Sequence, residues 1–264
     1  MEDLLREAES LAADGVQELI LVAQETTRYG LDLYGEKSLH ILLEKLCGIG
    51  GFRWIRVLYC YPDETNDQLL DLLAGKDNIC PYLDIPIQHI NTELLRKMNR
   101  RGTREDILRC VRGARERGLT LRTTLIVGFP GETESQFREL LDFVEETRFD
   151  RLGAFAYSPE EGTPAANMPD QVPEEVKQER LDRLMTLQQK IAFSQNLTRI
   201  GSIERVLVTD TGEDGQCLGR SSREAPEIDG EILVDTKGRH PQPGQFIPVR
   251  ITESLDYDLK GEML

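Results

Sequence analysis

Apolar residues along the first two-thirds of the chain alternate between a helical rhythm and short unbroken runs, and that alternation predicts the architecture. Leu4, Ala8, Leu11 and Ala12 lie on one face of a helix, and Glu18 to Ala23 follows as a short strand ending in the polar run Gln24-Glu-Thr-Thr-Arg28. Leu39, Leu42, Leu43 and Leu46 mark the next helix, and Trp54 to Cys60 the next strand. A helix around Asn66 to Ala74 leads to a strand over Tyr82 to Gln88. Ile107, Val111 and Ala114 line a helix ahead of the strand at Leu121, and Phe137, Leu140, Leu141 and Val144 line the helix after it. A last strand runs from Arg151 to Tyr157. The result is a βα repeat with parallel strands. It opens on a helix, where a closed or doubly wound sheet opens on a strand, so the unit reads as cut at its N-terminal edge.

A Pro-rich crossing from Ser158 to Pro173 separates this repeat from a helix over Glu174 to Leu197, with Leu181, Leu184, Leu187 and Ile191 inward. After Gly201 the pattern changes to short β segments between Gly and Asp turns: Arg205 to Thr209, Gln216 to Arg220, Glu231 to Val234 and Phe246 to Thr252. These suggest a small barrel of the oligonucleotide-binding kind. The expected division is an α/β domain over 1–199 and an all-β domain over 200–264.

Charge narrows the partners. The chain of 264 residues is 39% hydrophobic and 30% charged, with a formal net charge of -15. From Ile200 onward 13 acidic residues face seven basic ones, leaving -6 on the tail and -9 on the remainder. Such a balance disfavours general adhesion to nucleic acid or anionic membrane and favours a neutral or basic partner. No window reaches the apolar length of a membrane helix, and Glu2 and Asp3 follow Met1 where a targeting segment would be basic and then apolar, so a cytoplasmic location is expected. The five cysteines, Cys47, Cys60, Cys80, Cys110 and Cys217, are scattered without metal-ligand spacing and read as small core residues.

The densest chemistry lies in Leu121 to Thr133, where an apolar run breaks into Gly128-Phe-Pro-Gly131 and reopens as an acidic helix start. Gly128 and Gly131 let backbone come close to a bound molecule, Pro130 fixes the turn, and Glu132 and Thr133 offer carboxylate and hydroxyl. An ordinary strand-to-helix turn carries the same letters. Parallel strands bring their C-terminal ends to one face, which gathers Gln24, Glu25, Thr26, Tyr59, Tyr61, Gln88, His89, Tyr157 and Ser158. This set suits a ligand with amino, carboxylate, ribose and adenine parts better than a nucleophilic triad. Arg122 either enters the barrel toward a ligand carboxylate or pairs with a nearby acid. The arginines between Arg96 and Arg117 alternate with Glu93, Glu105, Asp106 and Glu116, as on a solvated helical face.

Five segments together resemble the radical SAM methylthiotransferases: Ala23-Gln-Glu-Thr-Thr-Arg-Tyr-Gly30, Pro81-Tyr-Leu-Asp-Ile-Pro-Ile-Gln-His89, Leu125-Ile-Val-Gly-Phe-Pro-Gly-Glu-Thr133, Tyr157-Ser-Pro-Glu-Glu-Gly162 and Ala225-Pro-Glu-Ile-Asp-Gly230. Gly219-Arg-Ser and the last segment are closer to the branch that modifies an aspartate of ribosomal protein S-twelve than to the tRNA branch. The resemblance implies a partial parallel (β/α) barrel of the radical SAM type, lacking its first strand, followed by a TRAM barrel. It further implies S-adenosyl-L-methionine (SAM) as cofactor, with Gln24 and Glu25 near its amino group, Gln88 near the ribose, Arg122 near the carboxylate, and Val127 and Gly128 bordering the adenine. The family's enzymes insert a methylthio group at the aspartate β-carbon by radical chemistry and hold two 4Fe-4S clusters.

This chain departs from the family in one respect: no C-x-x-x-C-x-x-C is present. Three thiolates hold the cluster that reduces SAM. The expectation is therefore the C-terminal portion of a longer enzyme, inactive alone and monomeric, whose partner is ribosomal protein S-twelve. A fragment of a tRNA methylthiotransferase is the alternative within the enzyme class, disfavoured by the acidic tail. A non-catalytic module for a basic ribosomal protein is the alternative outside it.

Overall fold

The computed structural model describes residues 1–212 and 215–264. Glu213 and Asp214, which contribute to the acidic tail, lie outside the described residues. The chain divides into two compact units, Met1–Gln188 and Gln189–Leu264.

In the first unit helices and strands follow one another in chain order: α1 (Glu2–Ala13), β1 (Glu18–Leu21), α2 (Leu31–Tyr34), α3 (Leu39–Cys47), β2 (Trp54–Val57), α4 (Asp67–Gly75), β3 (Tyr82–Asp84), α5 (Thr92–Lys97), α6 (Arg104–Glu116), β4 (Thr120–Val127), α7 (Glu134–Thr147) and β5 (Arg151–Ala156), and α8 (Glu174–Leu197) begins in this unit and ends in the second. Side-chain caps set several helix starts: Asn66 accepts from Leu69 N at 2.9 Å, and Thr103 with Asp106 and Thr133 with Gln136 form capping boxes. β1 pairs with β2 and β4 lies between β3 and β5, all parallel, while a bridge between Ile55 and Ile79 carries the order from β2 toward β3. The strand expected over Tyr82 to Gln88 stops at Asp84, because Pro86 has no N–H to offer the ladder. Pairing returns only at the bridge Gln88–Leu125.

β4 shows how the sheet separates its faces. Leu121, Thr123, Leu125 and Val127 are buried, whereas Arg122, Thr124 and Ile126 are half-buried on the other face. Register places Asp84, Arg122 and Arg151 side by side across β3, β4 and β5. On the same pleat of β1 and β2, Glu18 accepts from Arg56 Nε at 3.0 Å, with both side chains almost sealed.

The second unit is a closed five-stranded barrel in the order β10-β8-β7-β6-β9, with β6 at Ile203–Thr211, β7 at Gln216–Arg220, β8 at Ile232–Asp235, β9 at Phe246–Ser254 and β10 at Leu259–Met263. Val206, Val208, Cys217, Ile232, Val234, Ile247, Val249, Ile251 and Leu259 fill it. β10 was not foreseen in the pattern, since Leu259-Lys-Gly-Glu-Met263 has little alternation. Gly261 lets it cross close to β9, where an added Cβ would stand 2.9 Å from the Arg250 carbonyl oxygen. Buried Arg199 holds Glu204 at 2.7 Å and Glu224 at 2.6 Å. Burial works against its charge, but the two carboxylates outweigh that and raise its pKa.

Candidate functional site

Loops after β1, β2, β3, β4 and β5 gather on one side of the first unit. After β1, Gln24 is exposed to solvent, whereas the Glu25 side chain is only 15% exposed and its Oε1 is buried with no hydrogen-bond partner in the protein. Burial raises the Glu25 pKa, opposed by Arg28. After β2, Tyr59 and its neighbours turn under Thr26, whose hydroxyl donates to the Leu58 carbonyl at 2.8 Å. After β3, Gln88 adopts φ +67° and leaves its Oε1 buried and unpartnered. After β5, the Tyr157 hydroxyl is buried without a partner. Among the described residues these three polar atoms, from three strand ends, have no hydrogen-bond partner in the protein, and Tyr29 Oη, His89 Nε2 and Glu132 Oε1 share that state. Such atoms are costly unless a ligand or water meets them.

Arg122 is paired within the sheet. Its Nη1 donates to Asp84 Oδ1 at 2.8 Å across the in-register β3–β4 pair, and Asp84 Oδ2 accepts from Tyr59 N at 2.9 Å. Arg100 stands apart from the other arginines of its stretch. It lies over the Tyr61 ring at 4.6 Å, half-buried, with no carboxylate in ion-pair range among the described residues. The only sequence signal was its position in an arginine-rich stretch. Most of the others there are bound to acids: Arg104 to Glu139, Arg109 to Asp106, Arg115 to Asp150, and Arg117 to Asp67 and Asp71.

At the end of β4, the Val127 side chain is buried. Gly128 has φ +72°, and the space a Cβ would take is filled by the stem of Lys177, whose Cβ would stand at 3.1 Å. Its close approach is therefore to α8. Glu132 turns back and accepts from the amides of Gly128 and of Phe129, the latter at 3.2 Å. Burial pushes its carboxyl up to about 7, against Arg180 and those two amides. Thr133 caps α7. His89 is fully buried and accepts from Asn91 N at Nδ1, 2.9 Å away. Burial and then Arg180 pull its pKa down to about 3, which keeps it neutral and argues against proton transfer near neutral pH.

SAM fits this face. Glu25 Oε1 suits an ammonium donor and Gln88 Oε1 a ribose hydroxyl, neither atom having a hydrogen-bond partner in the protein, although Glu25 Oε2 lies 4.0 Å from Arg101. A 4Fe-4S cluster does not fit the described residues. No group of three Cys, His, Asp or Glu converges there, and burial raises the Cys60 and Cys110 thiols to about 12.

A parallel α/β unit whose strand ends carry such a face is the arrangement of the radical SAM superfamily, whose family model matches residues 1–144, and the chain belongs to that superfamily. Residues 200–264 match the TRAM domain. Two curated relatives are both named "Ribosomal protein uS12 methylthiotransferase RimO": that of Pelotomaculum thermopropionicum is 53% identical over 99% of this chain and 60% of its own length, and that of Clostridioides difficile is 48% identical over 100% and 60%. The chain thus spans about 60% of the length of these relatives. Among solved structures, coproporphyrinogen III oxidase (HemN) from Escherichia coli, a radical SAM enzyme, shares the fold at a TM-score of 0.55 and 17% identity, over 83% of this chain and 58% of that one. No helix among the described residues is long and apolar enough to cross a membrane.

Proposed function

We propose that this chain is the SAM-binding and TRAM portion of a cytoplasmic, monomeric methylthiotransferase that acts on an aspartate of ribosomal protein S-twelve, with the domain boundary at 199/200. The observation that carries the reading is the trio of unsatisfied buried atoms on Glu25, Gln88 and Tyr157, in a chain that aligns over nearly all its length with about 60% of the length of enzymes of that name. Bound SAM would supply the radical once reduced by one electron from a 4Fe-4S cluster. The protein's part is to bind and orient it: Glu25, beside Gln24, takes the amino group, Gln88 the ribose, and the Gly128 backbone with Val127 the edge of the adenine. Arg122 stays with Asp84, so we assign the methionine carboxylate to Arg100, held flat on Tyr61. The ligands of both 4Fe-4S clusters are assigned outside these 264 residues, because no three Cys, His, Asp or Glu converge among the described ones. On this reading the chain alone does not turn over.

The -6 charge of residues 200–264 favours a basic protein over tRNA. The test is to reconstitute the full-length protein with iron and sulfide, supply SAM and reductant, and offer S-twelve and tRNA separately. Mass spectrometry should find the methylthio group on the S-twelve aspartate. Modification of tRNA alone would overturn the assignment.

A further inference from the structure

The buried face of α8 carries two cations, three residues apart, and both end on the Gly128–Glu132 turn. Lys177 lays its stem against Gly128, places Nζ 5.5 Å from the Tyr157 ring centroid, and pairs with Glu174 at 3.2 Å. Arg180, 5% exposed, donates from Nη1 to the Glu132 carbonyl oxygen at 3.1 Å and stands 3.5 Å from Oε1 of the same residue. Its guanidinium packs on the Phe137 ring at 5.4 Å. Glu132 in turn gathers the amides of Gly128 and Phe129. Polar contacts therefore run unbroken from α8 to the backbone at the end of β4. The rest of the turn offers no substitute, for Pro130 has no N–H and the Gly131 amide is spent on the Asp170 carbonyl at 2.8 Å.

We infer that Arg180 is a positioning residue for the nucleoside end of the ligand: through Glu132 it fixes the Gly128–Phe129 backbone that meets the adenine, while Lys177 braces the same turn from the side. The inference rests on the reading of this face as a SAM site. The physical reason is the state of the carboxylate. A carboxylate sealed among apolar groups keeps its charge only beside a cation, and a charged acceptor orders two amides better than a neutral one. Without Arg180, Glu132 takes up a proton and its grip on both amides weakens. The other groups facing Arg180 cannot replace it, since His89 is neutral and Glu134, 3.9 Å from Nη2, is itself acidic.

A cation that merely stabilised the fold would, when lost, weaken every part of the ligand site alike, so the test separates the two ends of SAM. In the full-length reconstituted protein, 5′-deoxyadenosine and methionine are titrated as separate probes, with SAM as reference. Arg180→Met should weaken 5′-deoxyadenosine about tenfold and leave methionine within about twofold, and Arg180→Lys should recover much of the loss. If Arg180→Met does not fold, Glu132→Gln gives the same comparison, because it cancels the charge that Arg180 holds. Unchanged nucleoside affinity, or equal loss of both probes, overturns the inference. A wild-type protein that binds neither probe nor SAM overturns instead the reading of the site on which it rests.

Discussion

Arg122 and Asp84 face each other in register across β3 and β4, 2.8 Å apart, and the pair closes the floor beneath the strand ends. Asp84 is 1% exposed and also receives the Tyr59 amide. Removing one member of a sealed pair strands the other. Asp84→Ala should therefore cost about 3 kcal/mol of stability. Arg100→Ala should leave the melting temperature nearly unchanged and weaken SAM about tenfold to hundredfold, the loss of a charged hydrogen-bond partner. Equilibrium dialysis of SAM with the full-length protein, beside thermal melts, distinguishes the two arginines. Strong loss of SAM affinity in a well-folded Arg122→Met variant with none in Arg100→Ala would reverse the assignment.

Gly128 was expected to make room for adenine, and its Cβ direction is instead occupied by Lys177. Gly128→Val must both strain a left-handed backbone and displace a buried stem, so it should destabilise the protein by roughly 2–4 kcal/mol. Adding Lys177→Ala should return part of that loss, while the backbone strain persists. A double variant no more stable than Gly128→Val would show that the stem is not what the valine meets.

The Glu132 carboxyl sits at about 7 when folded against 4.5 as its ordinary value. Between those values the folded protein binds a proton that the unfolded chain does not. This group's contribution is thus fully present below about 4.5 and lost as pH rises through about 7. Relative to Glu132→Gln, the wild type should lose roughly 2–3 kcal/mol over that window. His89, drawn down to about 3, works in the other direction, losing stability as pH falls below 6.5, but it is common to both proteins and cancels. Denaturant melts at several pH values read the difference, and a flat one would mean that the folded carboxyl keeps its ordinary pKa of 4.5.

Iron and sulfide reconstitution of this chain alone should give no stoichiometric cluster. The thiols of Cys60, Cys80, Cys110 and Cys217 are buried, and no three potential ligands converge among the described residues. A visible absorption band that survives desalting would refute the claim that the ligands lie elsewhere.

The alternation of apolar stripes and runs was enough to place every long helix and all five parallel strands, because each element satisfies its own period. Side-chain partners were not legible. Nothing in the letters says that Arg122 meets Asp84 rather than a ligand, since the two lie 38 positions apart and only the β3–β4 register joins them. Gly128 was visible as a special backbone position, but the reason for it sits on α8, beyond the Pro-rich crossing. β10 escaped because a five-residue strand centred on Gly261 has almost no hydrophobic period.

Closure of the second unit has a consequence for how it can hold a partner. β9 and β10 complete the ring, so among the described residues every strand of the barrel has two neighbours and no row of backbone donors is left along a free edge. An incoming peptide cannot be stitched on as a sixth strand, the mode open-edged domains use without regard to sequence. Recognition is left to side chains on the connections between strands, such as Glu227, held at φ +67°, and the exposed Ile228 beside it. Selectivity there rests on residue identity, and a single exchange on such a connection can redirect the partner while the barrel stays as it is.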